Sequence, residues 1–328
     1  MQEYQQLVRD VLETGTLKPN RTALDTVSDF GYSYKLDLEE GTLPVVTTKK
    51  FFWNSFIHEF FWYLSGEAHV RELQKETGIW DEWADEQGRV DTSYARFWRR
   101  YPLNSHTAEG EVWADPDHRW VNEDENTFDQ IQYIIDMLKE NAKSRRIVLN
   151  AWHPGNAAVS TLPPCHYTAV FNVQGDGTLN CHLTQRSGDI ALGVPFNIAA
   201  YSLLTQLLAN ETGFRVGELS HTIADAHIYC GDGPRADWYE YNLTEVQSRL
   251  QDGENVQDVR EFIETNAPEP DTEQSDHIPN LLALLDREPY DRPTLSFPND
   301  VSILDLSPEQ VALEDYTYHD ALRFAVAE

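Results

Sequence analysis

Apolar residues recur along the chain with two periods, and those periods predict most of its elements. Tyr4, Leu7, Val8, Val11 and Leu12 fall at i, i+3, i+4, i+7 and i+8, so residues 3–13 read as an amphipathic helix that Gly15 stops. Residues 28–37 alternate as a strand does. Residues 51–64 are apolar almost all round and too short to span a membrane, which predicts a buried helix. Phe128, Ile131, Ile134, Ile135 and Leu138 predict a second amphipathic helix over 127–140, followed by a strand from Arg146 to Trp152. Residues 166–174 and 178–186 flank Gly175-Asp176-Gly177 and read as a hairpin. A helix over 197–210 ending near Gly213 and a strand over 220–229 complete the pattern. Helices and strands alternate without internal repeats, so the expected architecture is one α/β domain, 1–328, around a twisted mixed sheet.

Two stretches break the pattern. Residues 101–126 hold seven acids and one arginine; residues 231–276 hold 13 acids and three arginines. Neither keeps a sustained apolar period, although 238–250 could form a surface helix. Both are expected to be acidic insertions on the one domain, solvated excursions rather than further domains.

Composition narrows the function. The 328 residues carry a net charge of −30, and 41% are apolar, far more than a disordered acidic chain would hold. Such a charge excludes duplex nucleic acid, whose binding rests on neutralising phosphates, and disfavours an anionic membrane surface. No apolar run is long enough for a spanning helix, and the N-terminus lacks the basic and apolar regions of a signal peptide. Seven lysines stand against 18 arginines, none of the lysines after Lys143. Abundant acid with little lysine is the balance of a protein kept soluble in concentrated salt, where self-repulsion is screened. Stability that rises with ionic strength is the check on that reading. Three cysteines, Cys165, Cys181 and Cys230, form neither a disulfide framework nor a zinc pattern, which points to a reducing cytoplasm.

Cys165 lies in Leu162-Pro163-Pro164-Cys165-His166, where the prolines force an extended entry into the following strand. Such a thiol is either an inert buried side chain or a nucleophile; the latter needs a cation beside it. The hairpin supplies one. If Ala169, Phe171 and Val173 face Leu183, Cys181 and Leu179, Arg186 stands opposite His166; a shift of one residue puts it opposite Cys165. Either register brings the guanidinium within reach of the sulfur. Arg145 and Arg146 precede an apolar strand, and with Arg21 and Arg186 they give four planar donors suited to a phosphate. Glu59 sits among Phe56, Trp62 and Tyr63 on the apolar helix. Its carboxylate must either pair with a buried arginine or titrate upward as a general acid/base.

These residues carry a family resemblance. Eight stretches occur in the order found in thymidylate synthases: 43–49 (LPVVTTK), 57–59 (IHE), 79–84 (IWDEWA), 144–146 (SRR), 164–166 (PCH), 185–189 (QRSGD), 193–198 (GVPFNI) and 225–229 (DAHIY). The chain thus resembles that family over nearly its whole length apart from the acidic segments.

The resemblance implies reductive methylation of dUMP to dTMP, with 5,10-methylene-tetrahydrofolate giving both carbon and hydride and no metal, flavin or nicotinamide required. It implies that Cys165 adds to C6 of the uracil, that Glu59 organises water and relays protons, and that Tyr94 helps remove the C5 proton. Arg21, Arg186, Ser187, Gly188 and Asp189 would hold the nucleotide, with Asn197 reading the uracil edge and His227 and Tyr229 the ribose. Ile79, Trp80, Trp83, Asp189, Leu192, Gly193, Phe196 and Ala327 would form the folate pocket. Arg145 and Arg146 would reach the partner's site in a sheet-mediated homodimer. The chain departs from the family pattern at Ala23-Leu24-Asp25-Thr26, Phe52, Ile223-Ala224 and Glu328. Two rival readings are a pyrimidine hydroxymethylase, against which Asn197 speaks, and an inactive nucleotide- or RNA-binding homologue.

Overall fold

The computed structural model describes residues 1–22, 24–90, 94–103 and 118–326. In chain order the strands are β1 (Thr16–Lys18), β2 (Thr26–Asp37), β3 (Tyr101–Pro102), β4 (Val121–Asn122), β5 (Thr127–Phe128), β6 (Val148–Asn150), β7 (His166–Val173), β8 (Thr178–Gln185), β9 (Gly188–Asp189), β10 (Arg215–Tyr229), β11 (Thr294–Ser296) and β12 (Ala312–Glu314). The helices are α1 (Gln2–Thr14), α2 (Trp53–Ser65), α3 (Tyr94–Arg99), α4 (Gln130–Asn141), α5 (Pro154–Ala157), α6 (Gly193–Thr212), α7 (Gly233–Gln251), α8 (Val256–Asn266) and α9 (Ile278–Leu285).

The main sheet runs β1-β2-β10-β8-β7-β6, with β9 against the end of β10. β10 is parallel to β8 and β9 and antiparallel to β2, so the sheet is mixed. Alternation gives its two faces different company. Leu36, Leu219, Leu183 and Phe171 point inward beneath α1 and α6. Ser33 and Thr222 pair on the opposite face, as do Ser220 and His182, and Lys35 lies exposed among them. The helix α6 is buried on almost every side and starts four residues earlier than its apolar pattern indicates. Pro195 is tolerated there because a first-turn N–H has no intrahelical partner. Gly213 ends the helix at φ 75°, a conformation that favours glycine.

Three boundaries differ from expectation for local reasons. Thr127 and Phe128 belong to β5, and Asp129 accepts a hydrogen bond from Gln132 N, so α4 starts at Gln130. In the hairpin, Ala169 pairs with Leu183 and Phe171 with Cys181, but an irregularity between His166 and Thr168 shifts the register. Both anticipated registers therefore occur, one on each side of that bulge. Residues 233–251 and 256–266 are helical rather than loosely solvated. Tyr239, Val246, Leu250, Val259 and Ile263 are buried, with α7 against α1 and α8 against α9. Their apolar stripe is too narrow to stand out among the acids. Of the other acidic segment, residues 104–117 lie outside the described residues.

Candidate active site

The site gathers where β7 and α6 begin and β8, β9 and β10 end. The register shift puts Arg186 directly beside Cys165: the Arg186 amide donates to the Cys165 carbonyl at 2.9 Å. Its guanidinium donates to the carbonyls of Pro163 (2.6 Å) and Pro164 (2.9 Å) and points Nη2 at the Cys165 sulfur, 3.4 Å away. The two prolines thus supply carbonyl acceptors that lock the arginine against the thiol. Burial raises the thiol's pKa, and the positive charges of Arg186 and Arg21 oppose that rise.

The next layer fixes the backbone around the sulfur. The Cys165 amide donates to the Tyr94 hydroxyl at 2.6 Å, and the Tyr94 ring stacks on His166 with centroids 3.7 Å apart. Burial, reinforced by a nearby Cys165 charge, raises the Tyr94 pKa well above its ordinary value, so this phenol keeps its proton. Burial pushes His166 down to about 3, so it is neutral and can share a hydrogen bond with Tyr201, 2.9 Å away.

Glu59 is 8% exposed and has no arginine partner among the described residues; its Oε1 accepts from the Tyr63 hydroxyl and the Trp80 indole, both at 2.7 Å. Burial raises its pKa to about 7, and these two neutral donors offset it only in part. Trp80 packs edge-on against Trp83 and Tyr94, with Ile79 and Trp83 partly exposed beside it. Phe196, in the first turn of α6, lies 4.9 Å from Phe51. Asp189 Oδ1 accepts from the amides of Ala191 (2.8 Å) and Leu192 (3.2 Å), which shapes the turn into Gly193.

His227 and Tyr229 are edge-to-face at 5.2 Å; burial, reinforced by the nearby Asp189 charge, pushes the Tyr229 hydroxyl up to about 12. Gly188 sits where an added Cβ would meet Ile223 and Val194 methyls at 3.0 Å. The Ser187 carbonyl accepts from Gln185 Nε2, which also donates to Asn197 Oδ1 at 3.0 Å. Arg145 and Arg146 stand exposed in the turn before β6. Ala327 and Glu328, like Ala23 in the altered loop, lie outside the described residues. The segment just before them is docked: Ala325 O lies 3.0 Å from His277 Nε2, and Lys49 Nζ lies 5.1 Å from the Phe324 ring centroid.

Gln185 and His277 were not singled out from the sequence. The signal for Gln185 was present: Leu179, Cys181 and Leu183 all point inward, so Gln185 continues an apolar face with an amide. His277 has no comparable local cue.

A family model described as thymidylate synthase matches residues 2–328. The thymidylate synthase of Haloferax volcanii is 58% identical over 330 residues, covering 98% of this chain and 95% of that protein.

Proposed function

The chain belongs to the thymidylate synthase family, and we propose from that premise that it catalyses the reductive methylation of dUMP to dTMP through Cys165. 5,10-Methylene-tetrahydrofolate is the cosubstrate, supplying the carbon and the hydride. The observation that carries the assignment of the nucleophile is Arg186 Nη2 at 3.4 Å from the Cys165 sulfur.

Cys165 adds to C6 of the uracil, which turns C5 into an enolate-like nucleophile toward the folate methylene. Arg186 favours the thiolate and, with Arg21, Ser187, Gly188 and Asp189, holds the nucleotide. Asn197 reads the uracil edge; His227 and Tyr229 take the ribose. Loss of the C5 proton and of the folate nitrogen leaves an exocyclic methylene. Hydride from the folate reduces it, and the cysteine departs as dTMP and dihydrofolate form. Tyr94, held protonated by burial, serves as a neutral hydroxyl in the proton path. Glu59, with a pKa of about 7, exchanges protons with water near neutrality. Ile79, Trp80, Trp83, Asp189, Leu192, Gly193, Phe196 and Ala327 frame the folate.

The protein acts as a homodimer through the open face bearing Ser33, Lys35, His182, Ser220 and Thr222, with Arg145 and Arg146 completing the partner's phosphate site. Their exposure before β6 supports this role. The chain is one catalytic domain, 1–328, with insertions at 101–126 and 231–276. Its three free cysteines support a cytoplasmic setting, and no described helix is long and apolar enough to cross a membrane.

Dihydrofolate formation from dUMP and methylene-tetrahydrofolate, measured at low and molar salt, tests the activity. Cys165→Ala is expected to abolish the covalent nucleotide adduct seen by intact-protein mass; an undiminished adduct would remove the nucleophile's assignment.

A further inference from the structure

Two polar residues remain that the mechanism does not use, one half-buried and one fully buried. Tyr34 on β2 and His221 on β10 face each other across the sheet, on the side covered by helices. The Tyr34 hydroxyl lies 2.7 Å from His221 Nδ1, and His221 Nε2 lies 2.6 Å from Gln185 Oε1. Gln185 then contacts Asn197, the base-reading residue, at 3.0 Å. His221 is 0% and Gln185 1% exposed, so neither exchanges these partners for water.

The direction of this chain is determined at one end. The Ser187 carbonyl can only accept, and Gln185 Nε2 lies 3.2 Å from it, so the NH2 end of Gln185 points toward Ser187 and Asn197. Gln185 Oε1 therefore faces His221, whose Nε2 must carry the hydrogen. His221 Nδ1 is then the acceptor, and Tyr34 the donor. Burial lowers the His221 pKa to about 3, consistent with a single ring hydrogen. Reversing any link would set two donors or two acceptors against each other in a dry site.

We propose that Tyr34 and His221 are positioning residues for base selection: through Gln185 they hold Asn197 with its carbonyl toward Gln185 and its NH2 end free to donate to the base. Uracil O4 accepts such a donor, whereas the 4-amino group of cytosine opposes it. This deepens the dUMP reading above and rests on it. Without the outer pair, only the 3.2 Å contact to the Ser187 carbonyl still orients the Gln185 amide, and the polarity of Asn197 is held less firmly.

The test compares wild type, Tyr34→Phe, His221→Leu and His221→Gln in molar KCl. Calorimetry gives dUMP and dCMP affinities; steady-state rates give kcat and KM for dUMP. Tyr34→Phe and His221→Leu are expected to lower the dUMP-over-dCMP affinity ratio about tenfold and to raise KM, with kcat within about twofold. His221→Gln keeps one donor and one acceptor end, and is expected to restore most of the ratio. Tyr34→Phe removes a single oxygen, so it tests the idea even if His221→Leu fails to fold. An unchanged ratio in folded Tyr34→Phe overturns the proposal, as does a His221→Gln variant no better than a folded His221→Leu. Failure of the dUMP reading itself looks different: wild type would then form no dihydrofolate from dUMP.

Discussion

Burial raises the Glu59 carboxyl from 4.5 to about 7, because Tyr63 and Trp80 bring hydrogen bonds but no positive charge. The unfolded chain loses this proton near pH 4.5, while the folded protein keeps it until about pH 7. The native state thus binds more protons in that window, and stability falls as pH rises through it. The difference corresponds to on the order of 3 kcal/mol at pH 8. Glu59→Gln keeps a carbonyl acceptor and removes the ionisation. Its stability relative to wild type should favour the variant by under about 1 kcal/mol at pH 5 and by up to the full amount at pH 8, measured by chemical denaturation in molar KCl. The same variant should lose roughly 10²–10⁴-fold in kcat, the range of general acid–base catalysis. A stability difference that is equal at both pH values would show that burial does not set this pKa. The carboxylate costs stability at the pH where a titrating proton donor is useful.

Elements sort by how much of their stabilisation is written locally. Helix α1, helix α2 and the β7–β8 hairpin follow from apolar spacing, because each buries a wide stripe or alternating face in the core. The bulge between His166 and Thr168 is legible only as two competing registers, since neither sequence pattern nor turn type specifies where a ladder slips. Helices α7 and α8 were obscured by acids: Val256, Val259 and Ile263 fall at i, i+3 and i+7, one residue wide, and their partners lie on α9. The site shows the same divide. Cys165 and Arg186 are joined by a hairpin, but Trp80 to Glu59 and Tyr94 to Cys165 are distant pairings that periodicity does not encode; Glu59 and Cys165 stand out by themselves, whereas only the family resemblance points to Trp80 and Tyr94. The structural weight of α8 is measurable. Ile263 is fully buried, so Ile263→Ala should cost about 2–5 kcal/mol, whereas the neighbouring Glu264→Ala should change stability by about 0.5 kcal/mol or less. Equal, small effects in denaturant titrations would mean that the segment is only hydrated acid.

A net charge of −30 repels a nucleotide phosphate from most of the surface, so its binding requires cations concentrated at one place. Within one subunit, Arg186 and Arg21 act on the Cys165 thiol, while Arg145 and Arg146 lie exposed in the turn before β6. A two-fold assembly through the open sheet face gives the latter pair a role, because each subunit would lend arginines to the other's site. Mixing two inactive variants tests this directly. Cys165→Ala lacks the thiol but keeps both arginines; Arg145→Ala/Arg146→Ala keeps the thiol. In a hybrid dimer, one site combines two defects and the other receives the intact thiol from one subunit and intact arginines from its partner. After refolding from an equal mixture, half of the dimers are hybrids with one complete site each, so about a quarter of wild-type activity should return. The recovery should require dissociation of the parental dimers and should be absent when they are simply combined below their exchange temperature. If the arginines served their own subunit, the hybrid would contain no complete site, and refolding the mixture would restore nothing above the parents.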